Sequence, residues 1–305
     1  MRRFVVAGDL NLDVVLCGMK AAPSLGSEVL AESRAVKPGG SAANAAMVLA
    51  MMGCRVRLFG LVGKDACGKL VLEGLRSAGL SVRTVSLSRT VSTGVTVSLA
   101  WPEDRMLVTA LGTIGAARIR DLKRGYLGRA AHLHLASYFL QSGLAPEMPG
   151  LLRKAKARGM STSLDPGHDP AERWETSDLE ACYPLIDWFL PNADEIRAFT
   201  GRSDVEDALQ SLGPELRGVV VKAGPEGAYG RWGGAVHRFP AHPAEPVDTT
   251  CAGDCFDAGF LFALAAGLSP EEAVGLANRI GALAVSVVGM PEASALRRLS
   301  QEVKS

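Results

Sequence analysis

Asp248-Thr249-Thr250-Cys251-Ala252-Gly253-Asp254 sets two carboxylates around a turn of small residues, and the apolar run from Cys255 to Leu268 makes that turn the mouth of a helix, expected over 252–266. Ala252 and Gly253 carry almost no side chain, so the first N–H groups of the helix stay uncovered, with the positive end of its dipole behind them. Such a helix start binds anions, phosphate above all. Asp254, in the first turn, is placed to take a proton from an attacking hydroxyl while the amides hold charge developing on a phosphoryl group. The same letters also suit a plain N-cap, since Asp and Thr are favoured there. The surrounding chain has to decide.

Working outward, short apolar runs at 4–7, 56–60, 131–136, 161–165, 188–191 and 219–223 alternate with helical stretches at 41–53, 66–78, 146–158, 193–200, 252–266 and 270–288. This is the pattern of an α/β fold, a doubly wound and mostly parallel sheet with helices on both faces. Ser269-Pro270-Glu271-Glu272 opens the last helix with a cap, a proline at the first helical position and a capping-box glutamate. Two segments, about 14–36 and 92–111, break the alternation, and the second reads as a hairpin around Pro102-Glu103-Asp104. Together they predict a small β lid over the C-terminal edge of the main sheet, where ligands of doubly wound folds bind. With no linker or internal repeat, residues 1–305 are expected to form a single domain carrying this lid.

Composition narrows the partners. The chain has 305 residues, 48% hydrophobic, and its 33 basic against 32 acidic side chains give a net charge of +1, no electrostatic reason for nucleic acid or an anionic membrane. No apolar run approaches the ~20 residues that span a bilayer. Six cysteines without a Cys-x-x-Cys pair point to free thiols and a cytoplasmic setting. His132 and His134 alternate along one face of a strand expected to be half-buried, without companions that would make a metal site.

Other motifs gain weight in company. Pro38-Gly39-Gly40-Ser41-Ala42-Ala43-Asn44 pairs glycines, which let a ligand approach the backbone, with an amide one turn into a helix; a tight strand-to-helix turn explains it equally. Asn11 and Asp13 leave the first strand on one face and suit the hydroxyls of a polyol. Gly63-Lys64-Asp65-Ala66-Cys67-Gly68-Lys69 matches a P-loop only until Leu70 replaces the Mg²⁺-holding Ser or Thr, so Lys64 and Lys69 read as surface charges. Asn192 and Glu195 open a helix three apart, as a water-mediated Mg²⁺ site or as a cap. Lys222, Gly224 and Gly227 end a strand in a turn across which a nucleotide could lie.

Taken together these residues resemble the PfkB carbohydrate kinases of the ribokinase-like superfamily. Gly39, Gly40 and Asn44, continuing through Gly60, Gly63, Asp65 and Gly68 to Gly79, look like its first signature, Asp248 to Asp254 like its second, and Asn192 to Glu195 like its Asn-x-x-Glu motif. The resemblance implies a sugar kinase in which Asp254 is the base and the amides of Cys251, Ala252, Gly253 and Asp254 form the anion hole. It assigns Asn11, Asp13, Gly39, Gly40 and Asn44 to the sugar. It assigns Asn192 and Glu195 to Mg²⁺ and phosphate, and Lys222, Gly224, Gly227 and Asn278 to ATP. It also implies a lid-mediated homodimer, and K⁺ held by Asp248, Thr250 and the 284–289 stretch with Ser286. Cys251 stands where the family usually has glycine or alanine. Arg105 is the only lid residue to nominate for a phosphate borne by the substrate, and it reads as a solvated loop arginine. A nucleoside kinase, with Phe139 or Trp101 stacking on a base, and a sugar- or nucleotide-binding regulator without turnover are the alternatives. An NAD-dependent oxidoreductase is disfavoured, because Gly8-Asp9-Leu10-Asn11 lacks the dinucleotide fingerprint.

Overall fold

Alternation within the first strand shows how the core is divided. Phe4 and Val6 pack into one apolar cluster and Val5 and Ala7 into another, all at most 1% exposed. A strand apolar on both sides is the mark of a sheet covered on both faces. The computed structural model describes residues 2–101, 105–123 and 125–303, so the turn expected at Pro102-Glu103-Asp104 lies outside the described residues.

Among the described residues the strands are β1 (Arg3–Ala7), β2 (Asn11–Cys17), β3 (Ser33–Gly39), β4 (Arg55–Phe59), β5 (Leu61–Gly63), β6 (Ser86–Ser88), β7 (Gly94–Ala100), β8 (Arg105–Ala110), β9 (His132–Leu135), β10 (Ser161–Leu164), β11 (Trp188–Phe189), β12 (Val219–Lys222), β13 (Ala228–Trp232) and β14 (Ala235–Phe239). The helices are α1 (Ser41–Met51), α2 (Ala66–Ser77), α3 (Thr113–Ala116), α4 (Met148–Lys156), α5 (Ser177–Glu180), α6 (Ala193–Thr200), α7 (Val205–Ser211), α8 (Ala252–Ala266), α9 (Pro270–Val285) and α10 (Ala293–Glu302). The main sheet runs β14-β13-β12-β11-β10-β9-β1-β4, parallel from β4 to β12 and antiparallel beyond. Helices α1, α2, α8, α9 and α10 cover one face and α4 to α7 the other. None of the described helices is long and apolar enough to cross a membrane.

The two irregular segments do form a sheet of their own, in the order β3-β2-β7-β8. It starts earlier than expected, at Asn11, so Asn11 and Asp13 belong to the first lid strand rather than to the end of the core strand. All four lid strands meet the body near a glycine: Gly8, Gly39, Gly94 and Gly112. Two positions there admit no other residue. Gly40 has φ 98° and Gly112 φ 46°, and a Cβ would lie 2.5 Å from the Asp9 carbonyl oxygen or 2.4 Å from that of Ser92.

Two boundaries differ for identifiable reasons. Helix α9 stops at Val285 rather than 288, because the amides of Val247 and Asp248 take the Val285 carbonyl, at 2.7 and 3.1 Å. The β13–β14 hairpin turns on Gly233-Gly234, both with positive φ, a hairpin signal absent from the expected pattern.

Candidate active site

Asp248 builds the anion turn. Its carboxylate accepts from Thr250 N at 2.8 Å and Gly289 N at 2.9 Å, closing the turn and pinning it to the loop after α9. Burial opposes that charge, yet the bonds to Thr250 and Gly289 hold the group below the ordinary carboxylate range. Cys251 then adopts the left-handed conformation, φ 59° and ψ 6°, and α8 starts at the next residue. Ala252 N reaches the Thr249 carbonyl only at 3.4 Å, and the N–H groups of Gly253 and Asp254 meet no backbone acceptor among the described residues. These are the open donors an anion hole requires. The positive φ of Cys251 costs a non-glycine residue roughly 1–2 kcal/mol. Its thiol donates to the Gly289 carbonyl at 3.2 Å and lies 4.0 Å from the Cys255 sulfur.

Asp254 is met from the far end of the sequence. Asn44, the fourth residue of α1, donates from Nδ2 to Asp254 Oδ2 at 2.8 Å. Burial pushes the Asp254 carboxyl up to about 6, with Asp165 and Asp9 adding to the effect and Asn44 and Lys222 opposing it. Such a carboxylate is ionised near neutral pH and more basic than a free one. Helix α1 is itself started by Asp9, whose two oxygens take the amides of Ser41 and Ala42 at 3.1 Å each.

The lid supplies the polar face above. Asn11 Nδ2 donates to Asp13 Oδ1 at 2.7 Å and to Thr96 Oγ1 at 2.9 Å, and Thr96 and Thr109 share a proton at 3.0 Å. Gly39 lies against Asp13, and Gly40, against Asp9 and Asn11, opens α1, which carries Asn44. Asp65 ties the lid root to the body, accepting from Gly68 N, Thr93 N and Thr93 Oγ1 at 2.8 Å each. Lys69, the last residue of the P-loop-like segment, is an exposed partner of Glu73 at 3.9 Å.

Lys222 approaches from beneath. Its ammonium reaches Asp165 Oδ2 at 2.8 Å and both Asp257 oxygens at 3.1 Å, and a Cβ on Gly253 would lie 3.8 Å from its Nζ. It therefore stands beside the turn at Gly253. Burial works against the Lys222 charge, yet Asp165 and Asp257 hold it well above the ordinary lysine value. Burial pushes the Asp257 carboxyl far up, with Lys222 opposing it.

The remaining nucleotide-side candidates divide. Asn192 and Glu195 cap α6 reciprocally, each backbone N–H bonded to the other's side chain at 2.8 Å, and burial with Asp165 nearby raises Glu195 to about 8. Gly224 and Gly227 form the turn after β12, with φ 53° and 93°. Asn278 holds the loop beside it through the Pro240 carbonyl at 2.9 Å. The Ser286 hydroxyl donates to the Ala282 carbonyl at 2.9 Å, within its own helix turn.

Several expectations change. His132 and His134 are fully buried, not half-buried: His132 shares protons with Ser161 and Ser163 at 2.7 and 2.8 Å, and His134 with Ser163 at 2.8 Å. Burial lowers them to about 3 and about 4, so both imidazoles are neutral. Phe139 stacks on Phe199 and meets Trp174 and Tyr138 edge-on. Arg105 is solvent-exposed, as expected, but it starts β8 instead of lying in the loop, and its Nη1 donates to Thr249 Oγ1 at 2.8 Å. Asp257, Thr96 and Lys37 were not singled out by the sequence motifs, and Asp165 only as part of a loop expected to bear on substrate choice. Only the i, i+3 spacing of Asp254 and Asp257 along one helix face signalled any of the first three. The buried Gln141 side chain, bonded to the Ala136 carbonyl at 2.5 Å, carries an oxygen without a partner beside the end of β1.

Comparison with known proteins agrees with this geometry. Residues 1–294 match the pfkB family carbohydrate kinase family. The chain belongs to that family. An ATP-dependent ribose-1-phosphate kinase from Halopiger xanaduensis is 31% identical over 93% of this chain and 92% of its own. The ribokinase of Bacillus subtilis is 27% identical over the full length of both. The structure of Arabidopsis thaliana ribokinase complexed with ribose and ATP superposes with TM-score 0.83 at 25% identity, over 99% of each chain. The pfkB-family protein is thus an ATP-dependent carbohydrate kinase, a phosphotransferase acting on a hydroxyl group.

Proposed function

We propose that Asp254 accepts the proton of a sugar hydroxyl as that oxygen attacks the γ-phosphorus of ATP in line, forming the new O–P bond while the bond to ADP breaks. The observation that carries this is the 2.8 Å Asn44–Asp254 bond at the mouth of the uncovered helix start. Charge on the transferring group falls on the amides of residues 251–254. Asn11, Asp13, Gly39, Gly40 and Asn44 hold the sugar, and Gly224, Gly227 and the loop fixed by Asn278 hold ATP. Lys222 acts from beside the turn at Gly253, without touching the nucleotide base.

Burial with Asp165 nearby raises Glu195 to about 8, and a divalent cation beside it would favour its ionised form. Bound Mg²⁺, reached by Asn192 and Glu195 through water, would offset phosphate charge. Asp248 and Thr250 present carbonyl oxygens beside the loop after α9, a donor set that suits K⁺; Ser286 adds only its lone pairs. A homodimer through the lid is supported by the row Val36-Val14-Val97-Val108, in register across all four strands on the face opposite the sugar residues, with Val36 48% and Val108 60% exposed. Six free cysteines support a cytoplasmic setting. A nucleoside substrate has less support with Phe139, one of its two stacking candidates, packed against Phe199, Trp174 and Tyr138, and a regulator would have no use for a raised carboxylate at the hole.

The test is ADP release from ATP and Mg²⁺ across sugars, sugar phosphates, sugar acids and nucleosides, by wild type and Asp254→Asn. Turnover with a sugar, lowered about 10²–10⁴-fold in the variant, is expected. A loss below about fivefold would remove Asp254 as base, and turnover confined to nucleosides would replace the sugar reading. Run in K⁺ against Na⁺ at constant ionic strength, the same assay should favour K⁺; equal rates would dispose of the cation site. Sedimentation should give a dimer that Val97→Asp dissociates.

A further inference from the structure

The β7–β8 half of the lid enters and leaves the body through two segments joined at its root. On the way in, β6 leads through Thr90 and Val91 to Thr93 and Gly94; on the way out, Gly112 leads through α3 to Ala116, Arg118 and Arg120. Thr113 N donates to the Ser92 carbonyl at 2.9 Å and Gly94 N to Thr113 Oγ1 at 3.3 Å, which ties the two together. Strand β5 reaches the same root through Gly63 N, which donates to Thr93 Oγ1 at 2.8 Å. Away from this join, residues of all three pieces line one cleft of about 630 Å³. None of the residues assigned to the sugar, the nucleotide or the anion hole lines it.

The lining is of two kinds. Leu61, Val85, Val91 and Ala116 are apolar, whereas Arg118, Arg120 and Lys123 come from the outgoing segment and the hydroxyls of Ser88 and Thr90 from the incoming one. Carbonyl oxygens, which carry no net charge, fix two of the cations: Arg118 Nη1 donates to those of Gly115 and Ala117 at 3.2 and 3.1 Å, and Lys123 Nζ to that of Arg83 at 2.5 Å. Asp121 adds one carboxylate, which accepts from Arg118 N at 2.8 Å, so the lining as a whole is basic. Ser88 Oγ accepts from Thr90 N and Val91 N at 3.3 and 2.9 Å and keeps its own proton to donate. A tetrahedral dianion has acceptor oxygens enough for such a set of donors. The space exceeds what an inorganic anion fills and falls in the range of about 300–1,000 Å³ that takes a metabolite.

We propose that this cleft binds a phosphate monoester as an effector. Its phosphoryl oxygens meet Arg118, Arg120, Lys123 and the Ser88 and Thr90 hydroxyls, and its organic part covers Leu61 and Val91. Bridging the two segments, it stiffens the root from which β7 and β8 rise. Thr96 and Thr109 of the sugar face stand on those strands, so the effect falls on the sugar; that clause rests on the sugar-site reading, and the binding itself does not. Two sources share the chemistry, the phosphorylated sugar the enzyme makes and a nucleoside monophosphate.

The test is calorimetry with ribose 5-phosphate, AMP, inorganic phosphate and citrate, on enzyme saturated with a non-hydrolysable ATP analogue and Mg²⁺. One of the two esters should bind about tenfold or more tighter than phosphate or citrate, which identifies the source, and added NaCl should weaken it. Arg120→Gln and Lys123→Gln should each weaken it about tenfold, whereas Asp13→Ala and Asp254→Asn should not. In ADP release at saturating ATP, the ester should change the sugar KM about fivefold or more in wild type and not in Arg120→Gln, with slower hydrogen exchange over 92–94 and 112–116. The proposal falls if neither ester binds up to about 10 mM, or if phosphate or citrate binds as well, the mark of a merely basic surface. It falls equally if binding survives the cleft variants and is lost in Asp13→Ala or Asp254→Asn, which would put the ester in the transfer site. Binding in the cleft with an unchanged sugar KM would overturn the effector role. Calorimetry needs no turnover, so it decides the cleft whether or not a sugar is phosphorylated.

Discussion

The floor of the transfer site and its lid are built on opposite plans. Beneath the anion hole, Lys222, Asp165 and Asp257 are joined at 2.8–3.1 Å, and the His132–Ser163–His134 ladder continues in the same sheet layer, every member buried or nearly so. The lid offers instead short polar side chains with spare hydrogen-bonding capacity, on a sheet whose last strand, β8, is exposed at every residue. A saturated, dry block fixes charge and geometry before substrate arrives. An open, thinly packed sheet yields to the ligand it covers. Chemistry is therefore set by the body, and choice of substrate by the lid.

The strongest way to break this division is Lys222→Met. Removing the ammonium leaves Asp165 without its counter-charge and takes a positive charge from beside the hole, so kcat is expected to fall about 10–10²-fold with the sugar KM little changed. The pH profile gives a sharper sign. Asp254 works ionised, so activity is lost as pH falls through its value of about 6, and Lys222 is one of the groups holding that value down. Without Lys222 the acid limb of kcat/KM should move to higher pH; a limb that stays put would show that Lys222 only supports the fold.

Asp13→Ala tests the other half. Its expected effect is a sugar KM raised about tenfold, with kcat and the KM for ATP within about threefold, since only a hydroxyl-binding group is lost. A change in kcat without one in the sugar KM would move Asp13 from lid to floor. The smallest effect is expected from Cys251→Gly. Relief of the left-handed strain, about 1 kcal/mol, is offset by the lost sulfur contacts, so turnover should stay within about twofold and the melting temperature should hold or rise slightly. A tenfold fall in kcat would give the thiol a part in the hole that its geometry does not suggest.

How much of this was readable from the letters follows the same divide. The core strands and α8 were legible because a buried parallel strand is a short apolar run and the catalytic turn is written in contiguous small residues. Asn44 and Asp254 were legible as separate motifs, but their 2.8 Å meeting across 210 positions is a product of packing. Lys222 was assigned to the nucleotide because the turn after it is glycine-bearing; its inward course depends on Asp165 and Asp257, which no local pattern marks as partners. Lys37 escaped notice for a similar reason. It precedes the glycine signature by two residues, and only strand register shows that it shares a face with Asp13. His132 and His134 alternate as a half-buried strand would, and serines on the neighbouring strand are what permit full burial.

The glycines at the roots of the lid make it a lever. Asn11 and Asp13 lie close to the fulcrum at Gly8, Gly39, Gly94 and Gly112, whereas Arg105 sits five residues out from Ala110. At about 3.3 Å per strand residue that arm is roughly 17 Å long, so a tilt of about 10° carries Arg105 through about 3 Å while barely displacing Asp13. The 2.8 Å contact between Arg105 and Thr249 is then the most angle-sensitive join between lid and body. The grip on the sugar hydroxyls survives small rocking of the lid, and the far latch opens with it.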